Sequence, residues 1–104
     1  MKFNEYQHQA MYFRKPSANS VYAVLGLVEE AGEVAGKVAK TIRDGAEPGA
    51  LKAHIKKELG DVLWMVAAVA SDYNLTLEEI ASANILKLTD RLSRGTISGQ
   101  GDDR

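Results

Sequence analysis

The chain has 104 residues, 45% of them hydrophobic and 26% charged, with 13 basic and 14 acidic side chains, two histidines and no cysteine. That length supports one domain around one core, and the apolar content excludes general disorder. A net charge of -1 excludes an overall field for nucleic acid polymers or an anionic membrane, and the missing cysteines exclude disulfides and thiolate metal sites.

The first residues, MKFNEYQHQ, lack the apolar core of a signal peptide. The longest apolar run, VLWMVAAVA at 62–70, is well short of the ~20 residues of a membrane span. A cytoplasmic location with no membrane partner is therefore expected.

Residues 4–13 read as a first helix, with Asn4 as cap, Gln7 three residues on, and Phe3, Tyr6, Ala10 and Phe13 as an aromatic inner stripe. KPSANS at 15–20 is a loop by composition, and Pro16 biases Lys15 away from helix. A second helix is expected over about 19–43, because Val21, Val24, Val28, Ala31, Ala35, Val38 and Ile42 recur every three or four residues. Gly26, Gly32 and Gly36 lie inside it. Each costs up to ~1 kcal/mol relative to alanine, so close helix approach is expected to compensate. Gly45, Pro48 and Gly49 read as its stop signals.

The third helix, about 50–73, begins amphipathic, with Leu51, Ile55 and Leu59 opposed by Lys52, Lys56 and Lys57. It then becomes apolar all round, which demands burial on most sides. That predicts either a central helix or burial against another subunit. Asn74 breaks the pattern, and Thr76 with Glu79 forms a capping box opening a fourth helix to about residue 94, with Leu77, Ile80, Ala81, Leu88 and Leu92 as its stripe. No strand pattern or repeat is present. The expected fold is an all-α four-helix unit over 1–94, followed by a flexible glycine-rich tail over 95–104.

The second and third helices each carry carboxylates three residues apart, on one face. In LVEEAGEV these are Glu30 and Glu33, preceded by Glu29, and in KELGDV they are Glu58 and Asp61. At about 100° per residue, Asp61 shares a line with Met65 and Ala68, where burial is expected, and Glu58 borders the Ile55, Leu59 and Val62 stripe. Buried like charges need a cation. His8 and His54 do not fall at ligand spacing with these acids, so the donors are all oxygen, which favours Mg²⁺ or Mn²⁺ over zinc. The missing Glu-x-x-His pairs speak against a di-iron bundle. The competing reading is a solvated acidic face in which Glu29 and Glu33 pair with Lys37 or Lys40.

Magnesium held by few protein ligands usually meets a phosphate. On the fourth helix Asn84, Lys87 and Arg91 share a line beside the apolar stripe, where the two basic groups suit phosphate oxygens. The alternative for them is a favourable placement at the negative end of the helix dipole. Tyr6, Tyr12, Phe13 and Trp64 offer faces for stacking on a base, although Phe3, Phe13 and Trp64 are expected in the core. Gln7 and His8 are weaker candidates for reading a base edge.

EEAGE at 29–33 followed by ELGDV at 58–62 resembles the EExxE…ExxD signature of the MazG-type nucleotide pyrophosphohydrolases. The Asn84, Lys87, Arg91 series is similar to the basic C-terminal helix of that family, and the likeness covers roughly residues 20–94. It implies a Mg²⁺-dependent enzyme that converts a nucleoside triphosphate and water to the monophosphate and pyrophosphate, in nucleotide-pool housekeeping. It further implies that Glu30, Glu33, Glu58 and Asp61 hold metal, with Glu29 completing the acidic motif and one of the EExxE carboxylates acting as base. Asn84, Lys87 and Arg91 would hold phosphates, and Tyr6 and Gln7 would face the base. Family members are dimers or tetramers with sites near subunit contacts, in agreement with the excess apolar surface expected on the third helix. Two other readings are a dUTP or phosphoribosyl-ATP pyrophosphohydrolase of the same superfamily and a non-catalytic helical assembly module.

Overall fold

The computed structural model describes residues 1–104. It contains four helices and no strand: α1 (Phe3–Tyr12), α2 (Ser20–Asp44), α3 (Pro48–Asp72) and α4 (Leu77–Ser93). The all-α expectation is met, with differences at the boundaries. Asn19 caps α2 by accepting from the Tyr22 amide at 2.9 Å. Pro48 opens α3 at its first turn rather than merely closing α2, because proline's missing N–H costs nothing there. α3 ends at Asp72, and just beyond it Asn74 lies in the left-handed region at φ 55, where the Leu75 amide bonds back to the Ala70 carbonyl at 2.8 Å. The Thr76–Glu79 capping box is present in full.

α3 is the central helix. It packs along α2 and against α1, and its apolar segment supplies most of the core: Met65, Ala67, Ala68 and Ala70 are buried. Ala67 and Ala70 cluster with Ala10 of α1 and Leu77 of α4. The Trp64 indole N–H donates to the Ala10 carbonyl at 2.9 Å.

The α2–α3 contact uses the opposite side of α2 from the stripe that periodicity singles out. Val21, Val24, Val28, Ala31, Ala35, Val38 and Ile42 are all exposed. The buried or half-buried residues of α2 are instead Ala23, Gly26, Leu27, Glu30, Val34, Gly36, Lys37 and Thr41. Small residues win the contact because they let the helices approach. A Cβ at Gly26 would stand 2.6 Å from Met65 Sδ, whereas Gly32 and Gly36 have nothing near them. Of the three helical glycines, only Gly26 is explained by packing within the protomer.

The expected aromatic inner face of α1 is reduced to Tyr6, beside Ala10. Phe3 and Phe13 are exposed, and Phe13 stacks edge-on with Tyr12 outside the core, with ring centroids 5.6 Å apart. Its inward side is Tyr6, Gln7, Ala10 and Met11. Nor do Asn4 and Gln7 cap their own helix, whose N-cap is Lys2. They cap α4: the Leu77 amide donates to Gln7 Oε1 at 2.8 Å and the Glu78 amide to Asn4 Oδ1 at 3.2 Å. Gln7 Nε2 also donates to the Leu75 carbonyl and to Ser71 Oγ.

Beyond this clasp α4 projects from the body. From Glu78 to Ser93 only Ala81 and Arg91 are not exposed, so Ile80, Leu88 and Leu92 of the expected stripe are left outside the core. The extended shape has a measurable signature. The accessible area is 7783 Å², against about 5,700 Å² expected for a compact monomer of 11.3 kDa. The radius of gyration is 16.6 Å, against about 13 Å. No helix is long and apolar enough to cross a membrane.

Because Met65 is buried over Gly26, Gly26→Val should overpack the α2–α3 contact and lower stability by about 1–3 kcal/mol, read as a lower urea midpoint. An unchanged midpoint would show that Met65 can swing aside and that this approach is not tight.

Candidate active site

Turning α2 so that Ala23 and Gly26 meet α3 carries Glu30, one turn further along, onto the same face. Glu58 lies on the α3 line of Leu51, Ile55, Val62 and Met65, all buried or half-buried. The two helices thus set their acids against each other. Carboxylate oxygens of Glu30, Glu58 and Asp61 lie within 4.8 Å of one another. Glu30 and Glu58 are half-buried. Asp61, expected to be buried with Met65 and Ala68, is exposed at the edge of the cleft, because it precedes the segment that α1 covers.

Three carboxylates this close repel one another, and the Glu30 carboxyl is held above its ordinary value, first by burial and then by the charges of Asp61, Glu29, Glu58 and Glu33. The one internal cation nearby is Lys37, whose Nζ is 3.7 Å from Glu58 Oε1. Lys37 therefore pairs with the third helix and not with Glu29 or Glu33. A single weak ion pair leaves the cluster short of positive charge. An all-oxygen donor set with excess negative charge fits a hard divalent cation. Glu29 and Glu33 stand exposed on the rim of α2, outside the close trio but near enough for their charges to act on Glu30.

α1 brings Tyr6 to the same place. Its phenol is held above its usual value by burial and then by the negative charge of Asp61, so it stays protonated beside the acids. Tyr6 also lines a cavity of about 480 Å³ with Met1, Lys2, Phe3, Leu63 and Glu78, within the size range of small-molecule sites. Gln7, in contrast, has both ends of its amide engaged in holding α4.

The basic series of α4 is elsewhere. No hydrogen bond or ion pair joins Asn84, Lys87 or Arg91 to Glu30, Glu33, Glu58 or Asp61. Lys87 Nζ and Arg91 instead meet Asp102 Oδ1, at 3.1 and 3.3 Å. Asp102 is a residue that sequence reasoning passed over, since an aspartate in a polar glycine-rich run has no distinguishing pattern. Arg14, next to the KPSANS loop, carries no spacing that marks it in the sequence either. It forks onto Asp72 at 2.9 and 3.0 Å and reaches the carbonyls of Ala18, Asn19 and Ala68, tying the α1–α2 connection to α3.

Residues 20–95 match the model of the MazG nucleotide pyrophosphohydrolase domain. The chain belongs to this family. It is 42% identical over 85 residues to the "Gene 37 protein" of Mycobacterium phage L5, a match covering 80% of this chain and 75% of the phage protein. The crystal structure of iMazG from Vibrio DAT 722 superposes with a TM-score of 0.64 at 26% identity, over 89% of this chain and 97% of that one. The matched MazG segment includes both acidic pairs and all of α4, and leaves out α1 and most of the tail.

Relieving the like-charge cluster should stabilise the metal-free protein. Glu30→Gln should raise its melting temperature by about 2–4 °C, the response of a domain this size to ~0.5 kcal/mol, a value discounted for solvent screening. The same variant should lose the stabilisation that a saturating divalent cation gives the wild type. A lower metal-free melting temperature would contradict the assigned repulsion.

Proposed function

We propose that the protein is a Mg²⁺-dependent nucleoside triphosphate pyrophosphohydrolase that releases pyrophosphate and leaves the nucleoside monophosphate, acting in the cytoplasm on the nucleotide pool. The observation that carries this reading is the convergence of Glu30, Glu58 and Asp61 from two helices in a chain of the MazG family. In this reading Glu30, Glu58 and Asp61 are metal ligands, joined by Glu33 when its rim side chain turns inward. Bound Mg²⁺, or Mn²⁺ in its place, would neutralise triphosphate charge and lower the pKa of bound water.

The chain's own residues then have separable tasks. Glu29 and Glu33, exposed beside the trio, are placed to accept the proton of the attacking water. The Tyr6 hydroxyl, kept neutral, can donate to substrate or to Asp61. The cavity it shares with Phe3 and Leu63 offers apolar walls for a base. Lys87 and Arg91, with Asn84, supply positive charge and a donor for the phosphates, where attack in line with the leaving pyrophosphate is catalysed largely by positioning and charge.

In this reading those phosphate ligands reach the acids of another subunit, which is supported by their pairing with Asp102 and not with the acids of their own chain. The exposed stripe Val21, Val24 and Val28 on α2 and the exposed Ile85, Leu86, Leu88 and Leu92 on α4 make an apolar surface of the kind that marks an interface. The protein in this reading is a homodimer or tetramer, in which α4 of one subunit completes the acidic cleft of another. In this reading α2 and α4 offer most of the apolar surface to the interface, and α3 adds Leu59 and Leu63, which its own core leaves exposed.

Pyrophosphate release from a panel of standard and modified nucleoside triphosphates, with and without Mg²⁺, tests the reading directly. Wild type should release pyrophosphate only with metal, and Asp61→Asn should lose about 10²-fold or more while keeping its helical content. No release from any nucleotide would sink the proposal. Light scattering tests the assembly: wild type should weigh two or four protomers, and Val28→Asp should give a monomer with little turnover. A monomeric wild type with full activity would contradict the shared site.

A further inference from the structure

The positive groups of α4 already hold an anion, and it belongs to the chain itself. α4 closes with Gly95 at φ 69, a left-handed turn in which the Thr96 amide bonds to the Arg91 carbonyl at 2.8 Å. That turn sends residues 96–104 back along the helix. The loop is fastened from within by Arg104, whose guanidinium donates to the carbonyls of Thr96, Ile97 and Gly101. Its crest brings Asp102 onto the helix, where the carboxylate meets Lys87 Nζ and Arg91 while the Asp102 carbonyl also accepts from Arg91. Lys87 first, then Arg91, hold the Asp102 carboxyl below its ordinary value.

Burial shows what this arrangement does. Arg91 is 5% exposed on a helix whose other residues past Ala81 are all open to solvent, so it is the returning loop that covers it. The Asp102 side chain itself remains 83% exposed. The guanidinium is thus closed off by a segment that is itself solvent-facing. The pocket between them, about 280 Å³, is lined only by polar and charged residues: Lys87, Asp90, Arg91, Arg94, Asp102, Asp103 and Arg104.

We propose that the 96–104 loop is an autoinhibitory latch: the Asp102 carboxylate occupies the polyphosphate site of Lys87 and Arg91, and a polyanion must displace it to bind. This deepens the function proposed above and rests on it for the identity of the polyanion as a nucleoside triphosphate. A polyphosphate carries several acceptor oxygens and more negative charge than one carboxylate, so it can outcompete Asp102 at a fork-shaped guanidinium. The latch lowers apparent affinity by the fraction of molecules in which it is open. It also keeps Lys87 and Arg91 from binding the single carboxylates and monophosphates that cannot displace it.

The test is calorimetric binding of Mg²⁺-tripolyphosphate to the full chain, beside hydrogen exchange at residues 96–104, so that neither readout needs turnover. Asp102→Asn removes the competing charge, and Arg104→Gln frees the loop without touching α4. Both should bind tripolyphosphate roughly three- to tenfold more tightly than wild type, Asp44→Asn, which removes a carboxylate paired with Arg43 outside this pocket, should bind as wild type does, and tripolyphosphate should speed exchange in the wild-type loop. Unchanged or weaker binding in Asp102→Asn and Arg104→Gln, no binding by any form, or slower exchange in the liganded loop would overturn the latch. The last of these would mean that the loop closes over the anion. A wild type that turns over nucleotides with an unresponsive loop would defeat the latch alone, whereas a responsive loop without any nucleotide turnover would defeat the enzyme reading and leave the latch standing.

Discussion

The close approach of α2 to α3 at Gly26 and Met65 sets the geometry of the acidic cleft. A Cβ at position 26 would meet the end of the Met65 side chain, so Met65 must move aside or the helices part, and Glu30 stands one turn along the same face, opposite Glu58 and Asp61. The contact is made of alanine, glycine and one methionine, which contribute little hydrophobic area for the length of helix involved. Fewer than one residue in ten is buried, nine of 104. The protomer thus gives up stability for proximity: its small residues allow the acids to converge, and the larger apolar side chains of α2 are turned away from its own core.

The cleft is itself a source of instability. Glu30 is raised by burial and by four neighbouring carboxylates, with Lys37 the single internal counter-charge. Such a site favours whatever brings positive charge, and the MazG family supplies the context in which that is a divalent ion with a nucleotide. The positive groups of α4 have the complementary difficulty: in isolation they are satisfied by a carboxylate of their own chain. The acids of the cleft are thus short of positive charge, whereas the bases of α4 have found a negative partner in Asp102.

Helix number, helix limits to within a few residues, the capping box at Thr76 and the pairing of the two acidic motifs are legible in the sequence, because each depends on neighbours three or four residues away. What the sequence hides is which of two plausible faces goes inward. On α2 the valine stripe has the stronger periodicity, yet the alanine and glycine line packs, since hydrophobic pattern alone does not say which of two apolar faces allows the closer approach. Asn4 and Gln7 show the same limit. Their capping chemistry is visible, but the donors they serve belong to a helix some 70 residues on, and no local pattern announces that. The apolar residues around Asp61 on its helix predict burial, yet it is exposed, because burial there depends on how far α1 reaches.

The Gln7–Leu77 and Asn4–Glu78 bonds also bear on the order in which the chain assembles. They close the longest loop in the molecule, spanning 70 and 74 residues, whereas α2 and α3 are joined by a short turn and meet as sequence neighbours. Loop closure costs more entropy as the span grows, and local contacts form sooner than distant ones. The helical hairpin that carries the acids therefore forms first as a folding unit, and the α1–α4 clasp is the last tertiary contact made and the first to open. Opening it releases α4 while the carboxylate trio stays intact, so the arm that bears Lys87 and Arg91 can fluctuate without unfolding the acidic cleft.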